Sequence, residues 1–169
     1  MILHCFLIRL PVEDGWNIQT SFLLSVREKD NVIESISTNM DAHHIGLHYL
    51  PEILSQYGKP ESILVNGSAG AGGYFMNLYM YYPQHGFLST HQFRVENGEK
   101  KMGSTEICSA LQTYSGLMLW DPDSNVSINM LSEMWPGFWY GDFLPLEQVS
   151  KLSMDEFYDA FTEWQYQCI

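Results

Sequence analysis

The stretch LPEILSQYGKPESILV, residues 50–65, decides the fold, because it predicts a short helix that ends in a turn and continues as a strand. Pro51 suits the first turn of a helix, where the missing N–H has no intrahelical partner in any case. Gly58 can adopt the left-handed conformation that ends a helix, and Pro60 prevents its continuation. The apolar side of this helix consists of Ile53, Leu54 and Tyr57. A helix of two turns is not stable alone, so we expect it to pack on a sheet.

Hairpins are predicted on both sides of this unit. Residues 18–39 form two strand-like arms around a polar turn at 28–31. Residues 74–95 form a second hairpin that turns at PQHG, residues 83–86. Its first strand predicts an aliphatic face and a tyrosine-bearing face, because Met76, Leu78 and Met80 alternate with Asn77, Tyr79 and Tyr81. Residues 66–73, rich in Gly and Ala, are predicted to be a flexible connection.

The C-terminal part of the chain predicts a strand, an irregular segment and a helix. Residues 113–120 are a strand candidate that ends at DPDSN, residues 121–125. A helix is predicted over Ser153–Gln165, beginning with a capping box between Ser153 and Glu156. One face of this helix is apolar through Phe157, Ala160, Phe161 and Trp164.

These elements predict an α+β fold, since the strands are linked by hairpins and the helices are too few for parallel crossovers. We expect an antiparallel sheet of about five to seven strands. The short helix at 50–57 and the C-terminal helix at 153–165 should pack on it. The 169 residues suit one domain, with a core over 18–120 and an aromatic loop and helix extension over 121–169.

The charge balance narrows the choice of partners. Lys and Arg total 8 against 20 Asp and Glu, a net charge of -12. Such a surface repels phosphate backbones and anionic membranes, so no nucleic-acid partner is expected, whereas basic partners and loosely held cations remain open. No stretch has the apolar length of a transmembrane helix. We therefore expect membrane contact through a leader or anchor alone, with a cytoplasmic location if Met1 is the true start and the cell envelope if a leader precedes it.

Cysteine spacing excludes several metal and redox motifs. Cys5, Cys108 and Cys168 are widely separated and form no CxxC pair. Three buried free thiols, or one disulfide in an oxidising compartment, are both compatible with the sequence.

DAHHIGLH, residues 41–48, is a metal-site alternative. His44 and His48 stand four residues apart, with Asp41 and His43 close by, as in zinc-binding helices. Gly46 interrupts such a helix, and no glutamate lies between the two histidines to act as a general base. A polar loop with incidental histidines is the competing interpretation.

Other motifs give little support for a cofactor or a catalytic residue. The Gly-rich run at 66–73 contains no lysine and leads into a strand, unlike a P-loop. DPDSN has calcium-loop spacing at its start, but Val126 stands where glycine is required, so an Asx turn is favoured. The chain contains no GxSxG. We predict no cofactor and no catalytic residue.

An aromatic segment provides the remaining candidates for recognition. Trp135, Phe138, Trp139, Tyr140 and Phe143 occur among glycines and a proline. Such residues either cap the sheet as a lid or bind a ligand or partner protein. The predicted binding residues are therefore Tyr79, Tyr81, Trp135, Phe138, Trp139 and Tyr140.

The helix–glycine–proline–strand unit and the hairpin YFMNLYMYYPQHGFLSTHQF resemble a set of uncharacterised bacterial envelope proteins. The unit is also similar to the small lipoprotein of the outer-membrane β-barrel assembly machine and to β-lactamase-inhibitor-protein-like domains. The resemblance covers about residues 32–95 and implies a non-enzymatic α+β domain that binds other proteins through its sheet, often exported or membrane-tethered. Three hypotheses follow: a protein-binding or envelope-associated domain, a metal-dependent hydrolase using residues 41–48, and a small-molecule binder in an aromatic pocket.

Overall fold

A computed structural model describes residues 2–11, 17–27, 32–40, 49–70, 73–95, 112–124, 126–128, 143–150 and 152–162. The strands are β1 Ile2–Pro11, β2 Asn17–Arg27, β3 Val32–Met40, β4 Ser62–Gly70, β5 Gly73–Tyr82, β6 Phe87–Val95, β7 Gln112–Trp120 and β8 Leu144–Pro145. The helices are α1 Leu50–Tyr57, α2 Leu146–Val149 and α3 Met154–Thr162.

The described strands form one antiparallel sheet in the order β1-β2-β3-β7-β6-β5-β4-β8. Two meanders build this order, β1 to β3 and β4 to β7, and they join where β3 pairs with β7. The α+β class with an antiparallel sheet is therefore confirmed. In the described residues the sheet has seven long strands and the two-residue β8.

The opening stretch folds as its residues predict. Pro51 lies in the first turn of α1, and Gly58 ends the helix at a φ of 76°. The Gly58 N–H donates to the Leu54 carbonyl oxygen at 2.9 Å. Leu50, Ile53 and Leu54 are buried against the sheet, which supplies the packing that so short a helix requires.

The prediction of a flexible connection at 66–73 is wrong over Asn66–Gly70. These residues continue β4, and they pair with β5 from Asn66 opposite Asn77 to Gly70 opposite Gly73. The long partner strand β5 supplies ladder hydrogen bonds that offset the poor strand preference of glycine. Residues 71 and 72 lie outside the described part of the chain.

The second predicted hairpin is confirmed as β5 and β6, joined by a 3₁₀ turn at Pro83–His85 and by Gly86. Its two faces are both buried in their central part. We call the side that carries Leu78, Met80 and Phe87 the helix face, because α1 and α3 complete its core. The opposite side, with Tyr79 and Tyr81, is the tyrosine face.

The C-terminal helix is confirmed from Met154 to Thr162, and the rest of the predicted helix, with Trp164, lies outside the described residues. The Ser153 N–H donates to a Glu156 carboxylate oxygen at 2.8 Å, and the Glu156 N–H donates to the Ser153 hydroxyl at 3.3 Å, as a capping box requires. Phe157 and Phe161 are buried against the helix face of the sheet. Lys59 Nζ lies 2.6 Å from Asp155, an exposed pair that connects the end of α1 to α3.

The remaining predicted elements agree with the structure where it describes them. The hairpin at 18–39 is β2 and β3, and its predicted turn at 28–31 lies outside the described residues. The strand at 113–120 is β7, and the Asp123 N–H then donates to the Asp121 carboxylate at 3.0 Å. This contact is the predicted Asx turn.

Candidate functional site

Tyr79 and Tyr81, the two sheet residues predicted to bind a ligand or partner, lie side by side on the tyrosine face and are buried. Their exposed fractions are 2% and 6%. They form one cluster with Leu88, Met118 and Trp120. Val126, Ile128, Leu64 and Phe143 pack against that cluster. A binding partner would have to move these neighbours before it could reach the two rings.

Specific contacts hold both tyrosines in place. Tyr81 stacks on Trp120 with ring centroids 5.9 Å apart, and its hydroxyl donates to the Val126 carbonyl oxygen. Tyr79 meets Phe143 edge to face at 5.3 Å between ring centroids. These contacts attach Val126 and Phe143, the last residue of the aromatic segment, to the sheet.

A row of polar side chains crosses four strands beside the tyrosines. Asn77 donates to the Asn66 side-chain oxygen at 2.8 Å, and Gln92 donates to the Asn77 side-chain oxygen at 3.0 Å. The Thr113 hydroxyl donates to the Gln92 side-chain oxygen at 3.3 Å. Because each member of the row bonds to the next, the row fixes the strand register and satisfies buried amides.

Ionisation of the buried tyrosines should make stability fall at high pH. Burial raises the pKa of Tyr79 to about 12, against a smaller opposing effect of a hydrogen bond with Asn66. Burial also raises the pKa of Tyr82 and of Tyr114. Tyrosines of the unfolded chain ionise near pH 10, so the unfolded state loses protons first and stability decreases as the pH rises. For Tyr79 we expect a loss of about 2 to 3 kcal/mol between pH 10 and 12, measured by urea unfolding.

Tyr79→Phe is the control for this prediction. The variant lacks the titrating hydroxyl but keeps the ring, so its stability should fall less steeply over the same pH range. An identical pH dependence in the variant and the parent protein would contradict the prediction.

The other predicted site residues lie outside the described residues. They are Trp135, Phe138, Trp139 and Tyr140 of the aromatic segment, and Asp41, His43, His44 and His48 of the metal-site alternative. Both interpretations therefore stay predictions. Among the residues that the structure describes, no three His, Cys, Asp or Glu side chains are grouped so that they could hold a metal ion.

A buried polar cluster on the helix face was not predicted. His91 has an exposed fraction of 0% and lies between two polar neighbours. Its Nε2 is 3.2 Å from the Ser89 hydroxyl, and its Nδ1 is 3.1 Å from the Gln112 side-chain nitrogen. The Gln112 side-chain oxygen accepts the Leu50 N–H at 3.2 Å. The cluster thus connects β6 and β7 to the first residue of α1.

The hydrogen bonds of this cluster define the imidazole tautomer. Because the Leu50 N–H needs an oxygen, the amide nitrogen of Gln112 faces His91 and donates to Nδ1. The ring proton is then on Nε2, which donates to Ser89. A serine nucleophile requires the reverse, with Nδ1 protonated and Nε2 free to accept the serine proton. In this arrangement His91 cannot activate Ser89.

Two further buried oxygens lie on the elements that form this cluster. The Ser115 hydroxyl, on the residue paired with His91 across the sheet, has no hydrogen-bond partner in the described structure. The same holds for one carboxylate oxygen of Glu52 in α1. Burial raises the pKa of Glu52, although a hydrogen bond to its own backbone opposes the shift.

A sequence signal for the cluster does exist. Phe87, Ser89, His91 and Phe93 occupy alternate positions of β6 and share the helix face. The two middle positions of this apolar row are polar, and a buried polar residue needs a hydrogen-bond partner. The partner Gln112 could not be identified from the sequence, because the β6–β7 pairing shifts register between Gln92 and Phe93.

Gln112→Leu should destabilise the protein by about 2 kcal/mol or more, because the Leu50 N–H and His91 Nδ1 both lose a partner in a buried place. Gln92→Leu is the matched control, since Gln92 and Thr113 are only partly buried and Asn77 keeps its hydrogen bond to Asn66. We expect it to cost less than about 1 kcal/mol in chemical denaturation. Equal losses for the two variants would show that burial of the His91 cluster is energetically unimportant.

The two edges of the sheet differ strongly. At one edge, β8 pairs with β4 at Leu64 and Val65. At the other edge, β1 pairs with β2 residue by residue from Ile2 opposite Val26 to Pro11 opposite Asn17, without a bulge. In the described part of the chain, β1 has no second neighbour. Among the described residues, the backbone N–H and C=O groups of β1 that point away from β2 therefore have no strand partner.

Comparisons with protein-family models, with curated proteins and with solved structures find no match to this chain. None of the described helices has the length and apolar character needed to cross a membrane. Any functional conclusion must therefore come from the geometry of the sheet and its polar clusters.

Proposed function

We propose that this chain is a non-catalytic domain that binds another protein, and that it does so by accepting an extended strand of its partner along the outer edge of β1. The observation that carries the proposal is the length and regularity of this edge. Strand addition draws its affinity from main-chain hydrogen bonds, so it needs an uninterrupted row of unpaired backbone groups.

The composition of β1 supports the same function. Proteins usually protect an edge strand with charges, bulges, prolines or a short length. β1 spans ten residues, ILHCFLIRLP, with Arg9 as its one charged side chain and a proline at its last position. Pairing with a partner is the physical use of an edge that no described element covers, because an unpaired edge invites aggregation.

The described polar clusters hold the sheet together, and they do not bear on the hydrolase alternative, whose residues 41–48 lie outside the described part of the chain. The ring proton of His91 is on Nε2 and is donated to Ser89, so the imidazole cannot take the serine proton. The cluster instead anchors α1, because Gln112 accepts the Leu50 N–H. The amide row on the tyrosine face is likewise satisfied internally. Both clusters therefore serve the sheet that presents the β1 edge.

Proline substitution at two neighbouring positions of β1 tests the proposal. In an antiparallel ladder successive N–H groups point alternately toward β2 and away from it. Of Leu7→Pro and Ile8→Pro, one therefore removes an outward N–H and is tolerated, whereas the other breaks a bond to β2 and destabilises the sheet by about 1 to 3 kcal/mol. The tolerated variant should lose binding of a fluorescent peptide with an alternating Thr-Val core and Gly-Ser ends.

The binding measurement is fluorescence anisotropy, and unfolding in urea identifies the tolerated variant. A version of the peptide interrupted by proline is the ligand control, because it cannot form the main-chain ladder. Unchanged binding by both folded proline variants would contradict strand addition at β1.

A further inference from the structure

The hydrogen bonds of the buried cluster on the helix face suit one protonation state of His91. The imidazole has an exposed fraction of 0%, so bulk water does not reach its nitrogens. Its Nδ1 accepts from the Gln112 side-chain nitrogen at 3.1 Å, and the oxygen of that amide accepts the Leu50 N–H at 3.2 Å. One amide therefore connects a neutral imidazole on β6 to the first residue of α1.

A protonated His91 is incompatible with these bonds. An imidazolium donates from both nitrogens and accepts at neither, so its Nδ1–H would face the N–H of the Gln112 amide. Inversion of the amide would bring its oxygen to Nδ1, but the amide nitrogen would then face the Leu50 N–H. Each arrangement sets two buried donors against each other, and a buried donor that faces no acceptor costs free energy.

From this conflict we infer that His91 is a pH-sensitive switch that releases the N-terminal end of α1 in mild acid. Protonation of the imidazole breaks the bond between Gln112 and Leu50, and a helix of two turns depends on such tertiary contacts. At the other end of α1, the Tyr82 hydroxyl donates to the Gly58 carbonyl oxygen at 2.9 Å, a bond that acid does not change. Opening therefore begins at Leu50. The switch is independent of the proposed binding at β1, which β2, β3 and β7 separate from β6.

The other titratable side chains on the described elements around this cluster do not produce the same effect. Burial raises the pKa of Glu52 in α1, so the folded protein takes up a proton there before the unfolded chain does, and this group stabilises the fold as the pH falls. Hydrogen bonds with Ser153 lower the pKa of Glu156, so its protonation needs stronger acid. Lys59 stays charged in acid, and tyrosines stay neutral. The exposed carboxylates are Glu147, Asp155, Glu156 and Asp159, and the tyrosines are Tyr57, Tyr82 and Tyr158.

Hydrogen exchange of two α1 amides in the full chain, followed by NMR, tests the inference. The Leu50 N–H reports the bond to Gln112, and the Ile53 N–H reports the first turn, because it donates to the Tyr49 carbonyl oxygen at 3.1 Å. An imidazole that is exposed to water takes up a proton below about pH 6.5. After correction for intrinsic exchange, we expect the equilibrium constants for opening to rise about tenfold between about pH 6.5 and 5.5, as uptake of one proton on opening requires.

Gln112→Glu is the sharpest variant, because it keeps the shape of the side chain and supplies two acceptors. One carboxylate oxygen accepts the Leu50 N–H while the other accepts from the imidazolium, so protonated His91 and a docked α1 become compatible. The opening constant at Leu50 should then change less than about twofold over the same pH range. His91→Asn, whose oxygen can accept from Gln112 and which has no titrating group, should lose the pH dependence as well.

The Phe157 N–H of α3 is the internal control, since it donates to the Ser153 carbonyl oxygen at 3.0 Å, away from the cluster. Equal opening constants at Leu50 and Phe157 near pH 5.5 would show that α1 opens only by global unfolding, which overturns the switch. A tenfold rise that persists in both variants would assign the pH dependence to another group. An opening constant at Leu50 that does not change with pH in the parent protein would show that the cluster tolerates an imidazolium. Imidazole nitrogen chemical shifts that place the proton on Nδ1 near pH 8 would contradict the hydrogen bonds on which the switch depends.

Discussion

Replacing Gly86 with alanine is expected to destabilise the protein by about 3 to 5 kcal/mol, because the new Cβ would meet both backbone strain and a collision. Gly86 follows the 3₁₀ turn between β5 and β6 at a φ of 66°. An added Cβ would collide with the Trp120 carbonyl oxygen, and it would lie 3.0 Å from the Pro122 nitrogen. The Trp120 N–H also donates to the Gly86 carbonyl oxygen at 2.8 Å, so the turn cannot withdraw without losing a bond to β7.

Alanine substitutions at two other glycines measure the cost of backbone strain apart from the cost of a steric collision. Gly58→Ala places a side chain at a φ of 76° but in open space, so we expect a loss of about 1 to 2 kcal/mol from strain alone. Gly67→Ala in β4 meets only the Phe75 carbonyl oxygen at 4.0 Å, and it should be neutral or stabilising by up to about 1 kcal/mol. Urea midpoints measure all three. A Gly86 variant no less stable than the Gly58 variant would show that the turn can shift away from β7.

Local signals explain why much of this fold is predictable from the sequence. Pro51, Gly58 and Pro60 act on their own backbone, so they predict where α1 begins and ends without knowledge of the rest of the chain. The alternation in residues 74–82 and the turn at 83–86 act in the same way on one hairpin. The capping box at Ser153 is likewise a contact between residues three positions apart.

Properties that depend on distant pairing were not predictable. The continuation of β4 through Asn66–Gly70 depends on β5 as its partner and contradicts the local preference of glycine. The pairing of β3 with β7 joins residues about eighty positions apart, such as Ile36 and Leu119. No local pattern in the sequence specifies that pairing.

The same limit applies to the site. The alternation in β5 predicts that Tyr79 and Tyr81 share one face of the strand, but their burial depends on Val126, Ile128 and Phe143, which lie far along the chain. The proposed edge is a property of sheet order, because β1 becomes an edge only once β2 has paired with β3. Every residue type has the same backbone groups, so the sequence alone does not show which strand lies at the edge of the sheet.

Phe157→Ala should cost about 3 to 5 kcal/mol, the second of the two large losses that we expect. The Phe157 ring is fully buried, lies 4.8 Å from the Phe161 ring centroid, and belongs to the same core as Leu54 and Met80. Alanine is a better helix former than phenylalanine, so the substitution should strengthen α3 locally. Any loss of stability therefore measures tertiary packing of α3 on the rest of the domain.

The number of unfolding transitions of the Phe157 variant shows whether α3 belongs to the same cooperative core as the sheet or unfolds separately. If α3 belongs to one cooperative core with β4–β6, near-UV and far-UV circular dichroism of the Phe157 variant should show a single transition at a lower urea midpoint. Asp159→Ala is the matched control, because Asp159 is exposed on the same helix, and it should change stability by less than about 0.5 kcal/mol. An early loss of helix signal with an unchanged midpoint for the sheet would contradict a shared core. Because the sheet presents the proposed binding edge, a shared core would also make peptide binding at β1 depend on a residue at the opposite end of the chain.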